Sequence, residues 1–146
     1  MTRPTFRDDR GSILPLVAAF TALGLTLVLL VAAASSLYLE SKRLLSLADA
    51  AALVGAESFE LDEITVDDGL VRAELTAPEV MAAVEQYLAA YPSAFDELRL
   101  EEATTVDGRS ASVTLSATWH PPVVSLLVPE GLRIDVTSTA RSVFSS

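Results

Sequence analysis

The sequence predicts an α+β protein carried on one long amino-terminal helix, and three observations lead to that class. Gly11 to Leu39 is free of charge. Helix-forming residues then continue from Leu37 to Ser58 without a proline. Far along the chain, apolar and hydroxyl residues alternate strictly from Ala111 to Trp119, and the alternation returns from Leu132 to Ala140. The expected architecture is a transmembrane helix continuing as the spine of a small domain, with one further helix and an antiparallel sheet of three or four strands. It divides the chain into a cytoplasmic arm (1–11), a transmembrane helix (12–39), a helical spine (40–59) and an extracytoplasmic α+β domain (60–146).

The membrane segment comes first. A bilayer core is crossed by about 20 helical residues, and the uncharged run "GSILPLVAAFTALGLTLVLLVAAASSLYL" is longer. A domain of this size has no interior large enough to hide such a helix. Pro15 stands near its start, where a missing amide hydrogen costs little. Ala18, Ala22, Gly24, Ala32 and Ser36 are small residues that permit close helix approach in lipid, or ordinary alanine-rich filler. Arg3, Arg7, Arg10 and the free amine precede the run, while Lys42 and Arg43 follow it. Positive charge favours the cytoplasmic side, so the arm is expected inside and the domain outside the cytoplasmic membrane. Ala32-Ala33-Ala34 before Ser35 also fits a small-residue signal-peptidase site. Cleavage after Ala34 would release a secreted binding module instead. Against it, the apolar run outlasts a signal core of about 7–15 residues.

The spine follows without a break. Leu37, Ser41, Leu44, Ala48, Ala51 or Ala52, Gly55 and Phe59 recur at helical spacing and form a stripe of mostly small residues. From Ser12 to Ser58 such a helix would measure about 70 Å at 1.5 Å per residue. A stripe of alanine and glycine suits a surface pressed close against a sheet.

In the domain, a short strand is expected over Leu70–Thr76, with Val71, Ala73 and Leu75 on its apolar face. "TAPEVMAAVEQYLAAYP" reads as a helix: Thr76 and Glu79 have capping-box spacing, and a proline lies in the first turn. Val80, Val84, Tyr87, Leu88 and Tyr91 line one face, and Pro92 ends it. Ala111, Val113, Leu115, Ala117 and Trp119 alternate with Ser112, Thr114, Ser116 and Thr118, as in a half-buried strand. Asp107-Gly108 supplies a tight turn that pairs this strand with Leu98–Val106. Leu132, Ile134, Val136 and Ala140 form the last strand.

Charge narrows the function. The net charge is −10, and beyond Arg43 seventeen acidic residues face five arginines and no lysine. Such a surface repels phosphate backbones, so no nucleic-acid partner is expected. With no cysteine there is no disulfide framework, thiolate metal site or cysteine nucleophile. His120 is the only histidine and sits at a strand end before two prolines, the position of a strand-terminal polar residue. Glu101 and Glu102 are expected to point to opposite faces of a strand, and so not to act as an acid/base pair. Asp62, Glu63, Asp67 and Asp68 do not match the spacing of a calcium loop. No phosphate-cradling glycine loop is present. The expectation is no enzyme, no cofactor, no metal and no small-molecule substrate. Asp49, alone among alanines, either bonds to a neighbouring subunit, caps backbone groups of the sheet, or faces water. "PPVVSLLVPEG", apolar for a loop, either covers the open end of the sheet or meets a partner.

"RGSILPLVAAF" and "LYLESKRLLSLADAAALVGAESF" together resemble the amino-terminal signature of the TadE/TadG-like proteins of tight-adherence (Flp-type) pilus assembly. Arg10-Gly11, Tyr38, the basic pair Lys42-Arg43, Leu45 and the block Ala48, Asp49, Ala50, Ala51, Ala52, Leu53 carry the resemblance. The far end, "PPVVSLLVPEGLRIDVTSTARSVF", is similar as well, so the likeness covers about residues 10–60 and 118–144. It implies a short TadE-like or minor-pseudopilin-like subunit. Such a protein would work by contacts with the lipid bilayer, other pilin-like subunits and platform proteins of the assembly machine. Prepilin peptidases cut after a glycine, which marks Gly11 and Ser12 as a candidate processing point. Their substrates usually carry glutamate at the fifth mature position, where this chain has Leu16.

Overall fold

The computed structural model describes residues 13–58, 65–67, 70–72, 75–90, 94–121 and 129–141, with only the backbone of 65–67 and 70–72. The arm with Gly11 and Ser12, Phe59, Asp62, Glu63, Asp68, Ala73, Tyr91 and Pro92 lie outside the described residues, as does most of the Pro121–Gly131 loop. Among the described residues seven elements follow one another: α1 (Ile13–Ala56), β1 (Thr65–Asp67), β2 (Leu70–Arg72), α2 (Ala77–Ala90), β3 (Asp96–Thr105), β4 (Ser110–Trp119) and β5 (Leu132–Arg141). The architecture is α+β, as the sequence predicts.

α1 is a single helix of 44 residues, about 66 Å long. Its first half, through Val31, is exposed all round. Burial then appears on one side only. Leu44, Leu47, Ala48, Ala51, Ala52, Gly55 and Ala56 are buried, at helical spacing. That face lies on β4 and β5, while α2 packs beside it and over β3. The domain therefore has two layers, two helices on one face of a three-stranded sheet.

The sheet has the order β3-β4-β5 and is antiparallel throughout. β4 is central, and its inner residues Ala111, Val113, Leu115, Ala117 and Trp119 are all buried. Val80 and Val84 of α2, with Leu75, fill the core beside them. Full burial of a valine or leucine contributes about 1.5–3 kcal/mol, so these large side chains supply what the alanines of α1 do not.

β4 runs antiparallel to α1. A Cβ on Gly55 would lie 3.2 Å from the Ala111 methyl, whereas Trp119 donates from Nε1 to Ser36 Oγ at 3.3 Å. The two spans agree, about 28 Å of helix against about 27 Å of strand.

Local chemistry explains the remaining boundaries. At the start of α2 the Thr76 amide donates to Glu79 Oε2 at 2.9 Å, and the Thr76 hydroxyl donates to the same oxygen. This is the capping box read from the sequence. Between β3 and β4, Gly108 has φ of +65°, a conformation that favours glycine. Asp107 Oδ1 accepts from the amides of Arg109 and Ser110, and Arg141 of β5 reaches Asp107 Oδ2 at 2.9 Å.

Two expectations need correction. The strand at Leu70 ends at Arg72 and does not join the main sheet. It pairs with β1 in a separate two-stranded ribbon, and Leu75 instead enters the core. Glu101 and Glu102 do not face opposite ways. A register shift between Leu100 and Glu102 places two residues against one on the partner strand. Glu101 accepts from the outward Ser116, and Glu102 stands in register with the outward Thr114.

At Gly55 a Cβ would meet Val80 at 3.0 Å and Val84 at 3.3 Å, whereas one at Gly24 meets nothing within 4 Å. Gly55→Val is therefore expected to destabilise the domain by about 1–3 kcal/mol, and Gly24→Ala to leave it unchanged. The urea midpoint of the full chain in detergent measures both. Arg141 first, then the backbone amides of Arg109 and Ser110, hold the Asp107 carboxyl well below the ordinary aspartate range. Its stabilising contribution is complete above the unfolded value of about 3.9 and is lost as pH falls towards the lower folded value. Thermal unfolding followed from pH 6 down to pH 2 should show this loss in the parent chain, and Asp107→Asn should flatten that limb.

Candidate functional site

The residues that carry the sequence resemblance lie along α1, and the helix sorts them by face. Ala48, Ala51 and Ala52 are fully buried against the sheet. They are small so that the strands can come close, and they are closed to any partner. Ala50 is half-buried. On the opposite side Leu39, Lys42, Arg43, Ser46, Asp49 and Leu53 are exposed, at three- and four-residue spacing. They form an outward stripe that begins in the apolar segment and runs up the domain.

The polar members of the stripe are held by near neighbours. Lys42 Nζ lies 5.6 Å from the centroid of the Tyr38 ring, within reach of a cation–π contact. Arg43 pairs with Glu40 one turn earlier at 3.8 Å, a surface contact of little energy. Asp49 neither caps sheet backbone nor points freely into water. Its Oδ1 accepts a hydrogen bond from the hydroxyl of Ser138 on β5, which fastens the spine to the last strand. Ala34 and Ser35 are exposed on the continuous helix.

On the other face of the sheet lies a cluster the sequence did not announce. Ser116 is only 1% exposed although it points away from the helices. Its hydroxyl donates to Glu101 Oε1, which Arg133 also contacts at 2.6 Å. The hydrogen bond from Ser116, then that from Arg133, holds the Glu101 carboxyl below its ordinary range. A carboxylate so stabilised is a poor proton donor, and the serine is occupied by an acid rather than activated by a base. Alternation placed Ser116 outward, but only the register of three strands reveals its partners. Beside it, Thr118 donates to Glu97 Oε2 at 2.9 Å. His120 is half-exposed at the end of β4, its Nδ1 3.4 Å from Asp96 Oδ2. A shallow hollow near the hairpin tip is lined by Val106, Asp107, Ser110, Ser112 and Thr139. Its polar side chains already bond to one another or to Arg141. Among the described residues no three His, Cys, Asp or Glu side chains are grouped to hold a metal ion.

If Asp49 acts through Ser138, then Asp49→Ala and Ser138→Ala should each lower the domain's melting temperature by about 3 °C. The double variant should be no worse than the worse single one, a coupling that a thermal double-mutant cycle reads directly.

Comparison with known proteins found one match, to a family model. Residues 11–58 match the model of the Flp pilus-assembly TadE/G-like family, a span that coincides with α1 to within two residues at each end. No curated protein and no solved structure matches the chain. The match does not extend to residues 118–144, where the sequence reading also expects a resemblance. Among the described residues one helix, α1, is long and apolar enough to cross a membrane. Over residues 11–58, which take in the apolar segment and the spine of the domain, this chain is similar to the TadE/G-like family of Flp pilus assembly.

Proposed function

We propose that this protein is a non-catalytic, membrane-anchored, pilin-like component of Flp pilus assembly or a related secretion apparatus, acting through contacts between subunits. The observation that carries this reading is the division of one unbroken helix. Its first half is exposed and apolar on every side, and its second half is buried on one face by the domain. In this reading the first half anchors the protein in the cytoplasmic membrane, with the arm inside and the domain outside; the flanking arginines support that orientation. The outward stripe from Leu39 to Leu53 and the small residues of the apolar segment are the surfaces offered to other pilin-like subunits and to the platform. No small-molecule substrate or cofactor enters this reading.

A second reading, the secreted module, has one observation in its favour. Every fully buried residue of α1 lies beyond Ala34, so a cut there would leave the packed core whole. The intact mass of the protein purified from membranes of its native host separates the readings. The full-length mass is expected and supports a retained anchor. Loss of residues 1–11 would identify prepilin-type processing despite Leu16. Loss through Ala34 would remove the anchor and overturn the membrane reading.

A further inference from the structure

We infer that the basic foot of the outward stripe on α1, Lys42 with Arg43, docks on the outer face of β5 in a second copy of this chain, with Asp135 as its counter-charge. This rests on the membrane-anchored, subunit-contact reading given above, and it names the partner face for the stripe.

The two surfaces lie on opposite sides of one domain. α1 turns its buried face to β4 and β5, so the exposed Lys42, Arg43, Ser46 and Asp49 look away from the sheet. Asp135 stands in register with Ser116, and side chains directly opposite each other in an antiparallel pair share a face. Asp135 therefore points away from the helices, as Ser116 does. A second copy in the same orientation brings its stripe to that face. Each pair of copies then keeps one free surface of each kind, the mark of a head-to-tail contact.

Two copies anchored side by side in one bilayer must meet at matching heights. The hydrogen bond from Trp119 to Ser36 marks a common level on helix and strand. Lys42 is about 9 Å above it along α1. Ser116 is about 10 Å above it along β4, and Asp135 is level with Ser116. Higher up, Asp49 at about 20 Å falls between Thr137 and Thr139 at about 17 and 24 Å. Threonine hydroxyls can donate to a carboxylate, so the acid of the stripe meets donors rather than another acid.

Charge selects this pairing. Glu101 is already held by Ser116 and Arg133, whereas Asp135 is exposed and has no hydrogen bond or ion pair among the described residues. Arg99 is level with Ser116 on β3, two strands and about 10 Å from β5, which steers incoming cations to the β5 side. Lys42 lies over the Tyr38 ring, which leaves its charge uncompensated, and Arg43 has a long 3.8 Å contact to Glu40. Pairing the stripe with itself in parallel would set Lys42 and Arg43 against their own copies, and like charges repel. An exposed ion pair is weak alone, but confinement of both copies to one bilayer raises their effective concentration.

Lys42 is the only lysine, so a carbodiimide, which joins an amine to a carboxylate with loss of water and no added spacer, reads the contact. The full chain is reconstituted in phosphatidylcholine vesicles and treated with the carbodiimide, and dimers are digested and identified by mass. Within one chain the helix and the sheet separate Lys42 from Asp135, so a linked Lys42–Asp135 peptide comes from two copies. That peptide is the expected result. It should be lost in Lys42→Gln and in Asp135→Asn, and the dimer should return when Lys42→Asp and Asp135→Lys are combined in one chain. Both positions are exposed, and unchanged emission of Trp119, the only tryptophan, shows that the variants are folded. Dimers joined from Lys42 to Glu40 or Asp49 would report helix against helix and overturn the proposal. Absence of dimers in vesicles that retain the chain through an alkaline carbonate wash would sink it while leaving the anchor standing. Loss of the chain in that wash would remove both the anchor and the inference built on it.

Discussion

The close approach of one alanine and glycine face of α1 to the inner surface of β4 and β5 governs the rest of the structure. Ala48, Ala51, Ala52 and Gly55 have almost no side chain to interpose, so the sheet can lie near the helix axis. The volume that completes the core comes from the opposite side, from Val113 and Leu115 of β4 and from Val80 and Val84 of α2. Helix and sheet are thus complementary in size rather than equal partners. The helix supplies a narrow rail, and the rest of the domain supplies the apolar mass that water drives onto it. The same helix has two kinds of surface. Below Ala33 it is exposed and apolar on all sides, which fits a helix in lipid, a solvent that makes no distinction between faces. Above Leu44 only one stripe is buried, because water does.

The far side of the sheet solves a different problem. β4 carries a row of hydroxyls there, and β3 and β5 lay charged side chains across it. Ser116 is covered by Glu101 and Arg133, and Thr118 by Glu97, so these two buried hydroxyls keep their partners. The edges differ. β3 has two register shifts and a left-handed residue at Glu97, φ +50°, and an irregular edge resists unplanned strand pairing. β5 is regular over all ten residues and is tied down at Ser138 and Arg141.

What could be read from sequence was local. The unbroken helix, the Thr76–Glu79 cap, the Asp107-Gly108 turn and the alternation of β4 each depend on residues a few positions apart, and each is present. The features that escaped depend on register. Asp49 and Ser138 are 89 positions apart, and Ser36 and Trp119 are 83 apart. Neither pairing has a signal in its own neighbourhood. The bulge that turns Glu101 and Glu102 to one side carries no glycine to mark it. The sequence leaves open whether β2 joins the main sheet, because apolar alternation reveals a strand but not the partner it chooses. In the candidate site, the family signature was visible as a pattern. Its division into buried alanines and an outward stripe emerged only once the sheet was in place.

The unbroken course of α1 has a mechanical consequence. No proline interrupts it between Leu37 and Ala56, and its upper half is clamped along one side by two strands and a helix. A tether would let the folded part swivel while the apolar segment stayed still. A clamped rod does not. Any tilt or twist imposed on the domain is delivered as torque to the apolar half of the helix, and any axial pull is borne by the same hydrogen-bonded column. A force applied at either end therefore moves the whole of it, as a lever moves about its fulcrum.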